Sequence, residues 1–375
     1  MTARIQAIYR IRGSSTTIAE RAQQIAVEQS VEMPVAAIAA PHVLDTIVGQ
    51  VETISELGDG LFEVRIGLSV ETVGDDPGQL VNMLFGNSSL HEDVALVDAV
   101  LPDTLLAQYD GPNHGIEGLR ARVGAGPWAL TCSALKPQGL SAKALAELAY
   151  RLALGRLDFI KDDHGLADQR FSPFAERVPA CADAVRSAAE KTGHPTRYVP
   201  SLTGHLDSLR QQMEIARAAG IDTVMLAPMI AGLSNCVRLK RDYPDMAILA
   251  HPSLGGAARI APEFLLGGLF RAIGADGIIF PNHGGRFGYS AETCLRIADR
   301  ARGSWGGTKG SQRAGLKPAI PVPAGGMVLE RVTEMLNFYG PDVMLLIGGG
   351  LLSAGAKLTA ATEAFTAAVR EHRYG

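Results

Sequence analysis

No apolar run in the 375 residues reaches the roughly 18–20 needed to span a bilayer. The opening MTARIQAIYR has no secretory apolar core, so neither membrane insertion nor export is expected and the reading is cytoplasmic. Basic residues are not in surplus: 35 Lys and Arg against 39 Asp and Glu leave a net charge of −4, which excludes nucleic acid as a partner. Small anions need only a few local charges and remain open. The four cysteines, Cys132, Cys181, Cys236 and Cys294, stand far apart without CxxC or finger spacing. That excludes a zinc finger or disulfide scaffold and fits reduced, mostly buried thiols, Cys132 included. No GxGxxG opens a helix after the first strand of a βαβ unit, which removes the fingerprint of a dinucleotide-binding doubly wound sheet.

What is present is a hydrophobic content of 47%, enough for a sizeable core. From about residue 120 onward, short apolar runs alternate with alanine-rich amphipathic ones. The apolar runs are WALTCSAL, LDFI, RYVPSL, DTVMLA, MAILA, DGIIF, AIPVPA and DVMLLI. Helical patterns such as SAKALAELAYRLA and LDSLRQQMEIARAAG fill the gaps, several opening on Ser, Asp or Thr caps. Eight such βα repeats predict an α/β fold, a (β/α)8 TIM barrel over residues 116–375.

Residues 1–115 read as a smaller α+β, ferredoxin-like domain of the split βαβ kind. IQAIYRI, MPVAAIAA, GQVETISEL, FEVRIGLS and VALVDAVLP alternate like strands, with TIAERAQQIAVEQ and GQLVNMLFG as helices. The turn-rich YDGPNHGIEG marks the boundary.

The densest chemistry lies in LDFIKDDH, an apolar segment ending in Lys161, Asp162, Asp163 and His164 before Gly165. Read locally, it is either a buried strand delivering these groups into a turn or a helix start capped by Asp162 or Asp163. In a barrel, the carboxyl ends of strands face substrate. That rule nominates Lys136, Lys161 with Asp163 and His164, Thr203, His251, Asn282 with His283 and Arg286, then Gly325, Gly326 and Gly348 to Gly350. The glycine clusters follow the seventh and eighth strands, where bare amides can cradle a phosphate; otherwise they simply permit tight turns. Asp163 and His164 offer oxygen and nitrogen donors for a divalent cation. Lysine as an ammonium cannot ligate.

The ordered set LKPQGLS, LDFIKDDH, HPSLGGA, AGGM and IGGG resembles the ribulose-bisphosphate carboxylase large-subunit superfamily, specifically its non-carboxylating RuBisCO-like proteins. AVEQS around Glu28 and FGNSS around Asn87 extend the likeness into the N-terminal domain. The resemblance implies homodimers in which Glu28 and Asn87 of one chain complete the other's site. It also implies a carbamylated Lys161 and Asp163 as magnesium ligands with His164 in support, Lys136 as the proton-moving lysine, and His251 as an active-site histidine. Gly325, Gly326, Gly348, Gly349 and Gly350 would form the C1-phosphate cradle, and Arg286 stands where the family has a mobile loop lysine.

Departures from the carboxylases matter as much. His164 replaces an acidic ligand, Gln138 a second lysine, and Pro252 an arginine, while Ile279 and Ala324 replace a histidine and a serine. The last three strip the distal phosphate site, so the expected substrate carries one phosphate and a less polar far end. Carboxylation is not expected. His164 leaves three readings of the metal: magnesium on the carbamate and Asp163, another divalent ion, or no metal with His164 as acid or base. KPQGLS and EQSVE look most like the group isomerising 5-methylthioribulose 1-phosphate in sulfur salvage. The expected enzyme is therefore an isomerase or tautomerase that enolises a phosphorylated ketopentose. The rivals are a decarboxylase of a 3-oxo sugar acid phosphate and a catalytically idle binding or stress-related member.

Overall fold

Nine alternating residues, Arg4–Arg12, form the first strand, β1, and bury Ile5, Ala7, Tyr9 and Ile11. The computed structural model describes residues 3–303 and 315–374; residues 304–314, which the sequence reading places within the barrel domain, lie outside the described residues. Two units are present. Of the described residues, the first comprises 3–110, Leu254–Leu265 and 315–316; the second comprises Gly111–Ser253, Leu266–Gly303 and 317–374.

In the first unit, β1 joins β2 (Gln50–Gly58), β3 (Leu61–Ser69) and β4 (Val94–Val100) in the order β2-β3-β1-β4, with the two neighbours of β1 and the β2–β3 pair all antiparallel. The β2–β3 hairpin turns at Asp59-Gly60, both at positive φ, a dipeptide suited to such a turn. Helix Ile18–Glu28 buries Ile18, Ala22, Ile25 and Ala26 along one stripe, and helix Pro77–Phe85 starts where the Asp76 carboxylate accepts the Gln79 N–H at 2.7 Å. This β-α-β-β-α-β order is the ferredoxin-like one.

MPVAAIAA is not a strand; Val35–Ala37 is a single tight turn. Pro34 and Pro41 lack the N–H a ladder needs, and the alanines between them offer little to pack on a sheet. Leu254–Leu265 packs with this unit because Leu96 and Ile260 form a parallel bridge and the Arg259 guanidinium donates to the carbonyls of Ser89 and His91 at 2.6 and 2.7 Å.

In the second unit, every one of the eight apolar runs forms a strand: β5 (Leu130–Leu135), β6 (Phe159–Asp162), β7 (Arg197–Val199), β8 (Thr223–Leu226), β9 (Ala247–Ala250), β10 (Gly277–Pro281), β11 (Ile320–Ala324) and β12 (Met344–Leu346). Two parallel ladders, β12-β5-β6-β7 and β11-β10-β9-β8, make a ring. Between β7 and β8, Leu202 N–H donates to the Met225 carbonyl and Met225 N–H to that of Pro200, both at 2.9 Å; β11 lies beside β12. Helices flank the ring, so the strands are buried on both faces and read as continuous apolar runs.

Aspartates precede alternate strands at the amino rim. Asp158 accepts the N–H and hydroxyl of Thr131 at 2.8 Å, Asp276 accepts the N–H groups of His114, Gly115 and Ile248, Asp222 pairs with Arg197, and Asp342 with Arg120. Ile116 and Leu119 of helix Gly115–Arg122, with Val123 just after it, join the ring's core at this end. The amino rim is thus tied and filled, and the carboxyl rim carries the reactive groups.

Candidate active site at the carboxyl rim

Side chains alternate across a strand, so a residue two beyond an inward-facing core position also faces inward. The ring's interior holds Leu130, Cys132, Phe159, Val199, Met225, Leu249, Val322 and Leu346. Continuing each strand in steps of two reaches Lys136, Lys161 and Asp163, Ser201 and Thr203, Ala227, His251, Gly326 and Gly348. Lys136, Lys161, Asp163, Thr203, His251, Gly326 and Gly348 therefore share one parity, while His164, Asn282, Arg286 and Gly325 do not, and contacts between the strand ends join part of the set.

Lys136 Nζ donates to Asp163 Oδ1 across β5 and β6, and His164 Nδ1 lies 3.4 Å from the same oxygen. The His164 ring stacks on His251, centroids 4.7 Å apart and nearly parallel. Lys161, only 3% exposed, donates through Nζ to the Asp162 carbonyl at 2.9 Å. Gly348 comes close enough to Lys136 that an added Cβ would touch its Cε at 3.9 Å.

The charges here are mutually adjusted. Burial pushes the Asp163 carboxyl up, but hydrogen bonds from His164 and Lys136 and the charges of both lysines outweigh it and hold it well below the usual carboxylate range. Burial pushes the Lys161 amine down, against the raising influence of Cys132, Asp163 and Asp162. Burial, helped by Lys161, His164 and Lys136, pushes His251 down to about 2 despite Asp163, so its ring is neutral at any working pH. Ser253 N–H donates to His251 Nδ1 at 3.3 Å, and Ser253 Oγ lies 2.8 Å from the same nitrogen.

Asp162 has the opposite parity and points outward. Arg177 Nε donates to it at 3.3 Å, Tyr198 OH at 2.7 Å and Ser201 N–H at 3.1 Å. Burial pushes the Asp162 carboxyl up, against the lowering influence of Arg177, Tyr198, Ser201 and Lys161. Both Asp162 and Arg177 side chains are wholly buried. Asp162→Ala would strand the guanidinium and is expected to cost about 3–5 kcal/mol in urea unfolding, with Asp162→Asn falling between. A loss under about 1 kcal/mol would mean the pair does not hold the β6 end in place.

The glycine turns meet one another. A Cβ on Gly326 would meet the Gly285 Cα at 2.8 Å, and one on Gly285 would run into the Gly325 carbonyl oxygen. Arg286 N–H donates to that oxygen at 3.4 Å, so the sixth and seventh loops lie against each other. Gly350 packs against the Met327 carbonyl, bringing in the eighth. Only glycine permits these approaches, and the backbone they bare is the kind that accepts a phosphate.

Not every candidate gathers here. The Arg286 guanidinium rests over its neighbour Phe287, 5.5 Å from the ring centroid. His283 packs on Phe338, 4.6 Å between centroids, and Asn282 is buried against the thioethers of Met327 and Met335 while accepting from Tyr339 OH at 2.6 Å. Both are framework residues. Gln138 lies over Gly165, where any Cβ would collide with its carboxamide. Cys132 is a core thiol, pushed by burial up to about 12. Glu28 and Asn87 belong to the first unit, where Asn87 Nδ2 donates to Glu28 Oε1 at 2.8 Å.

For a divalent cation, Asp163 and His164 supply an oxygen and a nitrogen. Among the described residues no three His, Cys, Asp or Glu gather as a metal site, so a third donor is needed. Lys161 supplies it only as a carbamate, and its buried amine beside Asp163 fits that conversion. Residues that the sequence reading did not nominate, Ser201, Leu202, Met225, Ala227 and Ile230, line an opening beside His164 and His251. The inward parity of Ser201, Met225 and Ala227 was the available signal. Among the described residues no helix is long and apolar enough to cross a membrane.

Residues 115–371 match the model of the ribulose bisphosphate carboxylase large chain, catalytic domain. The chain is 57% identical over 98% of its length to the 5-methylthioribulose-1-phosphate isomerase of Rhodospirillum rubrum, covering 97% of that protein. It is 52% identical to ribulose bisphosphate carboxylase-like protein 1 of Rhodopseudomonas palustris, over 99% of both chains. The crystal structure of a Rubisco-like protein from Rhodopseudomonas palustris superposes with a TM-score of 0.91 at 47% identity, over 100% of both chains. With its ferredoxin-like unit, its eight-strand ring and this match across the barrel, the chain belongs to the ribulose bisphosphate carboxylase large-chain family and is a RuBisCO-like protein.

Proposed function

We propose that this protein is an isomerase that enolises 5-methylthioribulose 1-phosphate, or a closely related methylthio-sugar phosphate in sulfur salvage. The observation that carries the reading is the convergence of Lys136, Asp163, His164 and His251 on the inner carboxyl rim beside Gly348. The 57% identity to a protein named for that reaction supports it.

In this reading the substrate phosphate lies on the amides of Gly325, Gly326, Gly348, Gly349 and Gly350, which places the sugar carbons over Lys136. Lys136 takes the proton from the carbon next to the ketone, leaving its electron pair in an enediolate. The proton returns to the former carbonyl carbon, and the ketone re-forms at the neighbouring hydroxyl, so composition is unchanged. Asp163 holds the amine in place. His251 donates a ring proton as a hydrogen bond to the substrate oxygen without giving up charge. A magnesium or similar ion on the Lys161 carbamate, Asp163 and His164 would, when bound, polarise the ketone. Arg286 closes from the sixth loop.

The test is incubation with 5-methylthioribulose 1-phosphate in deuterium oxide, followed by NMR. Deuterium at the α-carbon and a new ketose phosphate are expected. Tight binding without exchange overturns the reading; release of carbon dioxide from a 3-oxo sugar acid phosphate would transfer the site to decarboxylation.

The working unit in this proposal is a cytoplasmic homodimer in which Glu28 and Asn87 of the partner reach the site. Glu28→Ala and Lys136→Met proteins should each be inactive, yet co-expression should restore about a quarter of wild-type activity, since half the dimers pair unlike chains and each has one intact site. No recovery would place Glu28 in its own chain's site, and a Glu28→Ala protein active by itself would place it outside catalysis.

A further inference from the structure

At the end of β10, Asn282 has the parity opposite to the inward-facing Ile279 and is only 1% exposed. A leucine of similar size would fill that place without the cost of drying a carboxamide. Each polar group of Asn282 is nevertheless matched. Its N–H donates to the Ala324 carbonyl at 2.8 Å, and its own carbonyl accepts the Gly285 N–H at 3.3 Å. Its Nδ2 donates to Met327 Sδ and to Met335 Sδ, both at 3.0 Å, while Tyr339 OH donates to its Oδ1 at 2.6 Å. Chemistry sets this orientation, because a thioether carries no proton and only the amide's NH2 edge can face the two sulfurs. Sulfur is a weak acceptor, so the carboxamide contributes direction more than stability.

What it directs is the turn after β11. Ala324 and Met327 bracket Gly325 and Gly326, and Asn282 holds the first by its main chain and the second by its side chain. The two glycines have φ of +84° and +93°. Glycine adopts such angles freely but does not enforce them, so the turn takes its shape from its held ends. The neighbouring turns are tied to the same residue. Gly285, whose N–H Asn282 accepts, lies against Gly326, and Gly350 packs on the carbonyl of Met327.

We infer that Asn282 is a positioning residue for the anion-binding turns, fixing through Met327 the spacing of the bare amides that receive a phosphate monoester. It acts from behind the turn, on the side away from the ring's interior. The inference rests on the proposed seating of the substrate phosphate on these glycines.

The experiment compares Asn282→Leu, Met327→Leu and Met335→Leu with wild type. It measures kcat and KM for 5-methylthioribulose 1-phosphate, competitive inhibition by inorganic phosphate, and urea unfolding. Asn282→Leu should raise KM and the phosphate inhibition constant together by about 10-fold, with kcat within about 2-fold of wild type. Met327→Leu should raise both constants in the same way. Met335→Leu removes the same kind of N–H···S contact from helix Val332–Tyr339, away from the glycines, and should leave both within about 2-fold. A merely structural role would lower the urea midpoint and leave the binding constants alone. That result overturns the inference, as does an equal effect of the two methionine substitutions. If Asn282→Leu does not fold, the methionine pair decides. If wild type does not turn over the ketose, the isomerase reading fails alone, and calorimetric titration with inorganic phosphate makes the same comparison. Wild type that binds no phosphate overturns the glycine cradle and this inference with it.

Discussion

Lys136→Met is expected to lower turnover about 1,000-fold, within the span of general acid–base contributions, while leaving thermal unfolding close to wild type. Methionine keeps an unbranched stem of similar length, and the Lys136 side chain is 35% exposed, so little packing is lost. What disappears is the amine that touches both Asp163 and the approach to Gly348. Substrate binding through the glycine turns should survive, so the loss should appear in kcat with KM nearly unchanged. Lys136→Arg should be almost as inactive, because a guanidinium keeps its charge and cannot accept the substrate proton. If Lys136→Met still exchanges the substrate α-proton with deuterated solvent at the wild-type rate, the base is elsewhere. The carbamate on Lys161 would then be the first place to look.

The second large effect concerns Lys161. Bicarbonate with magnesium should activate the wild-type enzyme, and with 13C-bicarbonate a carbamate carbon signal should appear in the spectrum. Lys161→Ala should lose both the signal and the activation, with turnover falling about 100- to 10,000-fold as transition-state stabilisation at the ketone oxygen is withdrawn. The structural reason is the donor count: Asp163 and His164 alone cannot enclose a divalent cation, and no third His, Cys, Asp or Glu stands with them among the described residues. Wild-type activity indifferent to bicarbonate and to chelators would leave Lys161 as a free amine held on the Asp162 carbonyl. His164, half-exposed at the rim, would then become the candidate acid or base.

The departures that set this chain apart from carboxylases also acquire places. Gln138, where a second lysine would stand, is folded down onto Gly165 and closes the turn after Lys161. Ile279 joins the ring's apolar interior. Neither offers a charge to a second phosphate, in keeping with a substrate anchored at one end only.

Much of this was legible in the residue order. Buried parallel strands must be apolar on both faces, so DGIIF and DVMLLI could hardly be anything else, and the helices between them announce themselves by period and cap. Once the ring is granted, alternation along each strand sends Lys136, Lys161 and His251 inward and Asp162 outward, a distinction the local pattern of LDFIKDDH already carried. MPVAAIAA misled because hydropathy alone does not register that a proline at either end denies a ladder its donors.

Other features have no local signature. His283 and Asn282 sit at a strand end like true site residues, and only the packing of Phe338, Met327 and Met335 around them makes them framework. The apolar opening is assembled from Leu202, Met225, Ala227 and Ile230, which belong to two different strand ends and a short helix. The order of residues alone determined the elements, the inward parity and the chemical inventory of the rim, because each depends on neighbours a few positions apart. Which of those groups touch, and what empty space lies between them, was decided by ring closure, because closure brings together residues more than a hundred positions apart and no periodicity encodes that distance.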